Sequence, residues 1–237
     1  FKERLEQIKQ ETAHLNIADT IRYLCAMFPE NVSFSTSFGK EDQALSHIIF
    51  SEKLPVKTFT LDTGRLFQET YDVMEETRNR YGKKIDIYFP DSGKVENMVN
   101  KKGPNSFYKS VENRKECCYI RKVEPLQRAL KDNTIWITGL MGDQSEFRKQ
   151  LPLFEYDANF EIIKYNPLIN WKRDYLENFI EEHQIPVNKL HSQGFVSIGC
   201  KPCTRAIKPG EDFRAGRWWW EQSKKECGLH FTKTGNS

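Results

Sequence analysis

The sequence has no hydrophobic run long enough to cross a membrane. Hydrophobic residues make up 38% of the 237-residue chain and charged residues 29%, and no stretch approaches the roughly 18 consecutive apolar residues of a transmembrane helix. The first ten residues, FKERLEQIKQ, are charged and helical in pattern, which argues against a secretory signal. These features predict a soluble, cytoplasmic protein without a membrane partner.

The chain also has little excess charge of either sign. Its 36 basic and 33 acidic residues leave a formal net charge of +3, which is too small by itself to indicate nucleic-acid binding. There is no internal repeat, no low-complexity segment, and neither a Walker A loop nor a GxGxxG fingerprint. Composition therefore predicts a globular protein with no nucleic-acid partner.

Cysteine is scarce, but four of the six cysteines occur in pairs. So few in a chain of this length exclude a disulfide scaffold and favour metal binding or catalysis. Cys117 and Cys118 are adjacent, and Cys200 and Cys203 form a CxxC motif. Because successive side chains diverge along a regular backbone, adjacent cysteines reach one centre only at a helix start or an irregular turn. An iron–sulfur cluster, a zinc ion and buried thiols all remain open, and the CC pair favours the cluster.

The remaining two cysteines differ from the pairs and from each other. Cys227 lies among Lys224, Lys225 and His230, and neighbouring cations lower a thiol pKa and increase the thiolate fraction. It is therefore a candidate nucleophile, with an incidental surface thiol as the alternative. Cys25 falls on the apolar face of a predicted helix and is expected in the core.

Apolar patterning predicts an α/β fold. Strands are expected over 32–37, 56–62, 84–90 and 134–139, alternating with helices, and this order is typical of a parallel sheet with helices on both faces. The other expected elements are a strand within 160–168 and helices over 2–13, from the Asn16 cap, and over 41–50, 67–80, 121–130 and 171–182. We predict a single domain over 1–237 in which residues 196–237 form a C-terminal arm.

Three turns at predicted strand ends are candidates for a ligand site. They read SFSTSFGKED, LDTGRLFQETY and TGLMGDQS, and ligands of open α/β sheets bind beyond the carboxyl ends of the strands. The first turn is rich in hydroxyl and backbone NH groups and leads into a helix N-terminus, which suits phosphate or sulfate. Basic residues also recur beside both cysteine pairs, among them Lys122, Lys201 and Arg205, and Arg214 and Arg217 lie three positions apart further along the chain. This pattern fits an anionic substrate near a metal centre.

Together, these motifs resemble one family along nearly the whole chain. The resemblance rests on FSTSFGKEDQAL (34–45), LDTGRLFQETY (61–71), the block 107–126 with ECCYIRKVEPL, GCKPCT (199–204) and KKECGLH (224–230). The sequence is similar to the assimilatory adenylyl-sulfate reductases, the iron–sulfur-containing members of the phosphoadenylyl-sulfate reductase family. This resemblance implies an adenine-nucleotide α-hydrolase-like fold related to the PP-loop ATP pyrophosphatases.

The resemblance also implies a reaction and its residues. The expected activity is thioredoxin-dependent reduction of adenosine 5′-phosphosulfate to sulfite and AMP in sulfate assimilation and cysteine biosynthesis. One 4Fe–4S cluster per chain would be held by Cys117, Cys118, Cys200 and Cys203, and Cys227 would be the nucleophile that carries a cysteine S-sulfonate. The residues implied in substrate binding are Ser35, Ser37, Gly39, Leu61, Lys122, Gly139, Arg214, Arg217 and His230. Thioredoxin or a similar dithiol is the implied partner, and the sequence leaves a homo-oligomer open.

One segment departs from the family pattern. The fourth strand is usually followed by TGLRR-x-QS, whereas this chain has Met141 and Gly142 in place of the arginine pair. Arg148 or Lys149 is the expected compensation. The departure keeps open a 3′-phosphoadenylyl-sulfate reductase or a dual-substrate enzyme. Lesser alternatives are a PP-loop tRNA-thiolating enzyme and a zinc-stabilised binding module with an exposed patch at residues 218–220.

Overall fold

The computed structural model describes residues 2–221 of the chain. Two of the predicted site residues, Cys227 and His230, lie outside these described residues, as does the end of the predicted arm from residue 222 onward. Among the described residues, no helix is both long and apolar enough to cross a membrane.

The first half of the chain alternates helices and strands much as the apolar pattern predicts. The elements are α1 (Lys2–Thr12), α2 (Ile17–Met27), β1 (Val32–Ser35), α3 (Lys40–Ser51), β2 (Lys57–Leu61), α4 (Gln68–Tyr81) and β3 (Asp86–Tyr88). The predicted cap of α2 is present, because the Asn16 side chain accepts a hydrogen bond from the backbone NH of Asp19 at 2.9 Å.

The second half contains elements that the sequence did not indicate. It comprises α5 (Ser92–Lys102), α6 (Val111–Cys118), a π-helical turn (Tyr119–Val123), α7 (Glu124–Leu130), β4 (Ile135–Ile137), β5 (Phe154–Asp157), β6 (Ile162–Tyr165) and α8 (Arg173–Glu182). Helices α5 and α6 and strand β5 were not predicted. Helix α5 is mostly polar and contributes a single buried residue, Met98, so its apolar periodicity is weak.

The strands form one sheet in the order β3-β2-β1-β4-β6-β5. All neighbouring pairs are parallel except β5 with β6. The predicted parallel sheet is therefore confirmed, and an unpredicted antiparallel strand lies at one edge. The chain moves outward from β1 through β2 to β3 and then crosses to β4 on the other side of β1, so the switch in strand order falls between β1 and β4.

Both faces of the sheet are covered by helices. In β4, Ile135 and Ile137 pack with β1 and helices α2, α3 and α8 in one buried cluster. Trp136, between them, packs instead with Leu126 and Leu130 of α7. Successive strand residues point to opposite faces, so this alternation confirms the two helical layers.

Two histidines pack together where α3 meets the end of α8. The rings of His47 and His183 have centroids 4.6 Å apart, and His47 Nδ1 lies 2.9 Å from the Tyr81 hydroxyl. Burial, followed by the nearby His183 and Arg80, lowers the pKa of His47 from its ordinary 6.5. The folded protein therefore favours the neutral ring.

We predict that stability decreases as the pH falls below about 6.5, because the unfolded chain then binds a proton at His47 more readily than the folded chain. A His47→Gln variant should show a shallower loss of melting temperature between pH 7 and pH 5. The exposed His14 provides the control. Equal slopes for the wild type, His47→Gln and His14→Gln would contradict the prediction.

Candidate active site

A cavity of about 230 Å³ lies at the carboxyl ends of β1, β2 and β4, where the strand order switches. The three turns expected to form a ligand site converge here. The predicted substrate-binding residues that fall within the described chain all line it: Ser35, Ser37, Gly39, Leu61, Lys122, Gly139, Arg214 and Arg217.

The turn after β1 is held in shape by its own polar groups. The backbone NH and the hydroxyl of Ser37 both donate to Asp42 Oδ2, each at 2.6 Å. Phe38 has a φ of 59° and its NH donates to the Thr36 hydroxyl at 3.1 Å. These bonds fix the route from the strand into the N-terminus of α3, where free NH groups suit an anion.

Asp42 lies between this turn and the turn after β4, in contact with both. Burial raises the pKa of Asp42 to about 6, although the hydrogen bonds from Ser37 oppose the shift. A Cβ atom at Gly139 would lie 2.0 Å from Asp42 Oδ1. Glycine at position 139 is therefore a packing requirement, since any side chain would collide with the buried carboxyl group. The sequence analysis did not identify Asp42.

Three basic residues predicted from the sequence reach the cavity from two different segments. Lys122 comes from the π-helical turn, and Arg214 and Arg217 come from the C-terminal segment, with 7% and 6% of their surfaces exposed. Gly199 permits this approach, because a Cβ atom there would lie 2.3 Å from a guanidinium nitrogen of Arg217. Three basic side chains from outside the sheet therefore line the cavity.

The segment that departs from the family pattern supplies another cation. Met141 is fully buried in the hydrophobic core, and a Cβ atom at Gly142 would lie 2.9 Å from the Ile169 carbonyl oxygen. Arg148 lines the cavity and donates to Gln144 Oε1, whereas the exposed Lys149 pairs with Glu146. Of the two expected compensating residues, only Arg148 reaches the site.

The two cysteine pairs meet at a second, smaller cavity of about 20 Å³. Cys117 and Cys118 end α6 and lead into the π-helical turn, while Cys200 and Cys203 flank a single 3₁₀ turn. An irregular backbone at the CC pair was expected, and the structure puts it at a helix end rather than a helix start. Both adjacent thiols nevertheless line this cavity from the last turn of α6, where Cys118 still has helical backbone angles (φ −65°, ψ −38°).

These thiols have unequal charge environments. Burial raises the pKa of Cys117 and raises that of Cys203 to about 12. Burial acts the same way on Cys200, but Lys122, the Thr63 hydroxyl and Arg217 together outweigh it and lower the Cys200 pKa. A thiolate donor set of this kind suits zinc or an iron–sulfur cluster. Within residues 2–221, no group of three or more His, Cys, Asp or Glu side chains is arranged to hold a single metal ion.

The turn after β2 separates the two cavities. The hydroxyl of Thr63 lies 3.3 Å from the Cys200 sulfur, and its carbonyl oxygen accepts a 2.6 Å hydrogen bond from Arg121. Thr63 also lines the larger cavity, and Lys122 lines both. The sequence analysis identified this turn as a candidate ligand site, but no sequence pattern indicated that Thr63 also contacts a cysteine.

Several proteins of known family are similar to this chain along most of its length. The sequence profile of the phosphoadenosine phosphosulfate reductase domain matches residues 31–206. The chain is 48% identical over 202 residues to adenosine 5′-phosphosulfate reductase of Allochromatium vinosum, covering 85% of this chain and 79% of that protein. It is 48% identical over 204 residues to the enzyme of the same name from Burkholderia cepacia, covering 86% and 82%.

Solved structures agree with this result. The phosphate complex of phosphoadenylyl-sulfate reductase from Candida auris superposes with a TM-score of 0.73 at 28% identity, covering 87% of this chain and 98% of that one. The FMN adenylyltransferase of Candida glabrata shares the fold, with a TM-score of 0.54 at 18% identity over 90% of this chain and 74% of that one. The sequence profile, the sequence relatives and the Candida auris structure lead to one conclusion: this chain belongs to the phosphoadenosine phosphosulfate reductase family.

Proposed function

We propose that this protein reduces adenosine 5′-phosphosulfate to sulfite and AMP, with a cysteine S-sulfonate on Cys227 as the intermediate. The observation that carries the proposal is the pairing of two adjoining cavities. One, at the strand ends, is lined by Lys122, Arg214 and Arg217, the other is lined by the four paired cysteines, and Lys122 lines both. The relatives that are 48% identical are named for this reaction.

The cationic wall would make the first chemical step feasible. The Cys227 thiolate and the sulfate group of the substrate are both anionic, so they repel each other unless nearby cations neutralise the oxygens. Lys122, Arg214 and Arg217 would bind these oxygens, while the Ser35–Gly39 turn would take the nucleotide phosphate. Because Arg214 and Arg217 are buried, their charges are poorly screened and already fixed in position.

The electrons of the reaction would come from thiols. The Cys227 sulfur forms a bond to the substrate sulfur as the bond from sulfur to the phosphate oxygen breaks, and that oxygen retains the electron pair and leaves with AMP. A thiol of thioredoxin, or of a similar dithiol, then attacks the Cys227 sulfur and sulfite leaves. The second thiol of the donor resolves the mixed disulfide, which restores the Cys227 thiol and leaves the donor oxidised. The reaction requires reduced thiols, so we assign it to the cytoplasm.

Four cysteines would hold one 4Fe–4S cluster: Cys117, Cys118, Cys200 and Cys203. Their shared cavity, their thiolate chemistry and the cations around them fit this group. A bound cluster would cross-link α6 to the C-terminal segment and contribute a fixed local charge. Lys122, which lines both cavities, is the residue through which that charge would influence substrate binding.

We predict that incubation with adenosine 5′-phosphosulfate in the absence of reductant adds one SO₃ group to Cys227 alone. Mass spectrometry of proteolytic fragments locates the adduct. Cys227→Ser should abolish it, since the hydroxyl lacks the nucleophilicity of a thiolate. Cys25→Ala, which removes a thiol buried in the core, should retain it. An adduct on another residue would overturn the proposed intermediate.

We predict that Arg148→Ala weakens substrate use while Lys149→Ala does not. Loss of a charged hydrogen-bond donor from the cavity should lower kcat/KM by about tenfold or more. The exposed Lys149 serves as the matched control and should stay within about twofold of wild type. Steady-state kinetics with adenosine 5′-phosphosulfate provide the measurement, and equal kcat/KM for the two variants would contradict the prediction.

The same kinetics with the 3′-phosphorylated form test the substrate preference of the wild-type enzyme. Comparable kcat/KM for the two substrates would show a dual-substrate enzyme.

We predict a brown protein with about four iron and four sulfide per chain. Cys118→Ala should lower both contents and bleach the visible absorption, because one of four ligands is lost. Cys25→Ala should keep them. Metal analysis and absorption spectra decide the outcome, and a colourless protein with one zinc per chain would contradict the cluster.

A further inference from the structure

A deeply buried ion pair joins the last described residue of the chain to the helix that carries the CC pair. Arg114 Nε and Nη2 donate to the two carboxylate oxygens of Glu221 at 3.0 and 2.9 Å. The side chains are only 5% and 4% exposed. The paired, parallel hydrogen bonds fix the orientation of both groups as well as their distance.

Each partner occupies a distinctive place in the chain. Arg114 lies on α6, three residues before Cys117. Glu221 follows a segment that is bonded to the CxxC region, because the NH of Trp218 donates to the Cys203 carbonyl at 3.2 Å and the NH of Glu221 donates to the Trp218 carbonyl at 2.9 Å. The pair therefore fastens the C-terminal segment to α6, next to the cysteine cavity.

The same ion pair is coupled to the larger cavity through one ring. The Arg114 guanidinium carbon lies 4.7 Å from the centre of the Trp218 ring, and that of Arg217 lies 4.8 Å from it. Trp218 is 1% exposed, and such buried cation–ring contacts are directional. Arg217 lines the larger cavity. The position of Glu221 is thus set relative to the residues that would bind the sulfate.

Stability alone is a poor explanation for this pair. Removing two charges from water costs about as much free energy as their attraction returns, and apolar replacements of buried pairs are often neutral or stabilising. Orientation is what the pair supplies. Five residues separate Glu221 from Cys227, and the six residue steps between the two span at most about 22 Å. Fixing Glu221 would limit how far the Cys227 thiol can lie from the cavity and would thereby raise its effective concentration there.

We propose that Arg114 and Glu221 are positioning residues that fix the origin of the segment carrying Cys227 and thereby set the rate at which its thiol meets the bound substrate. This inference rests on the proposed function of Cys227. It predicts that breaking the pair slows transfer of the SO₃ group but leaves nucleotide binding in the cavity nearly unchanged.

The test compares single-turnover formation of the Cys227 adduct with AMP affinity in cluster-loaded protein. Glu221→Gln breaks the charge pair, and the double variant Arg114→Met/Glu221→Met removes both charges without leaving either one buried alone. Both should form the adduct at least about tenfold more slowly. Their Kd for AMP and the rate of Cys227 alkylation by iodoacetamide without substrate should stay within about twofold of wild type.

The chain offers a matched control in the same region. Arg205 and Glu211 form another two-bond pair, at 2.8 and 3.0 Å, but both are partly exposed and lie before Arg214. Glu211→Gln should form the adduct at the wild-type rate. Wild-type rates in the double variant, or equal losses of AMP affinity and adduct formation, would overturn the positioning role. Absence of a Cys227 adduct in the wild-type protein would overturn the proposed function, and this inference with it.

Discussion

The arrangement of this protein depends on keeping positive charge next to buried sulfur. Lys122 lies on the π-helical turn that follows the CC pair, lines both cavities, and lowers the pKa of Cys200 against the effect of burial. Buried thiolates and a bound sulfate would have the same need, because each is an anion withdrawn from water. Because Lys122 lies between the cysteines and the cavity at the strand ends, its positive charge would stabilise both the thiolates and the bound sulfate.

The sheet explains why the cavity at the strand ends forms where it does. The crossover from β3 to β4 puts the ends of β1 and β4 side by side with their connections leaving in opposite directions, which opens a crevice. The turns after these strands then meet across Asp42, and the close approach requires glycine at position 139. The π-helical turn and residues 196–217 line the rest of this crevice, so Lys122, Arg214 and Arg217 reach it from outside the sheet.

Much of this could be read from the sequence, since the relevant signals are local. Apolar alternation predicted β1, β2 and β4, and the residue types at their ends predicted the turns that line the cavity. Helices α5 and α6 and strand β5 were missed, because polar helices and a short edge strand depend on tertiary contacts more than on their own pattern. Asp42 was missed for a related reason, since its burial arises from contacts with Gly139 that no local pattern encodes.

The partners of individual side chains were least predictable. Nothing in the order of residues indicates that Thr63 contacts Cys200, or that Arg114 pairs with Glu221 more than a hundred positions away. The replacement of the arginine pair was visible, but the choice between Arg148 and Lys149 required the structure. A sequence shows which basic residues lie near cysteines, but tertiary packing decides which of their side chains point into the site.

The burial of Met141 constrains how this loop can vary. Its side chain lies within the main apolar core. An arginine at this position would therefore place its guanidinium group in the apolar core and not in the cavity. While the loop follows this path, a single Met141→Arg substitution would therefore add no cation to the cavity.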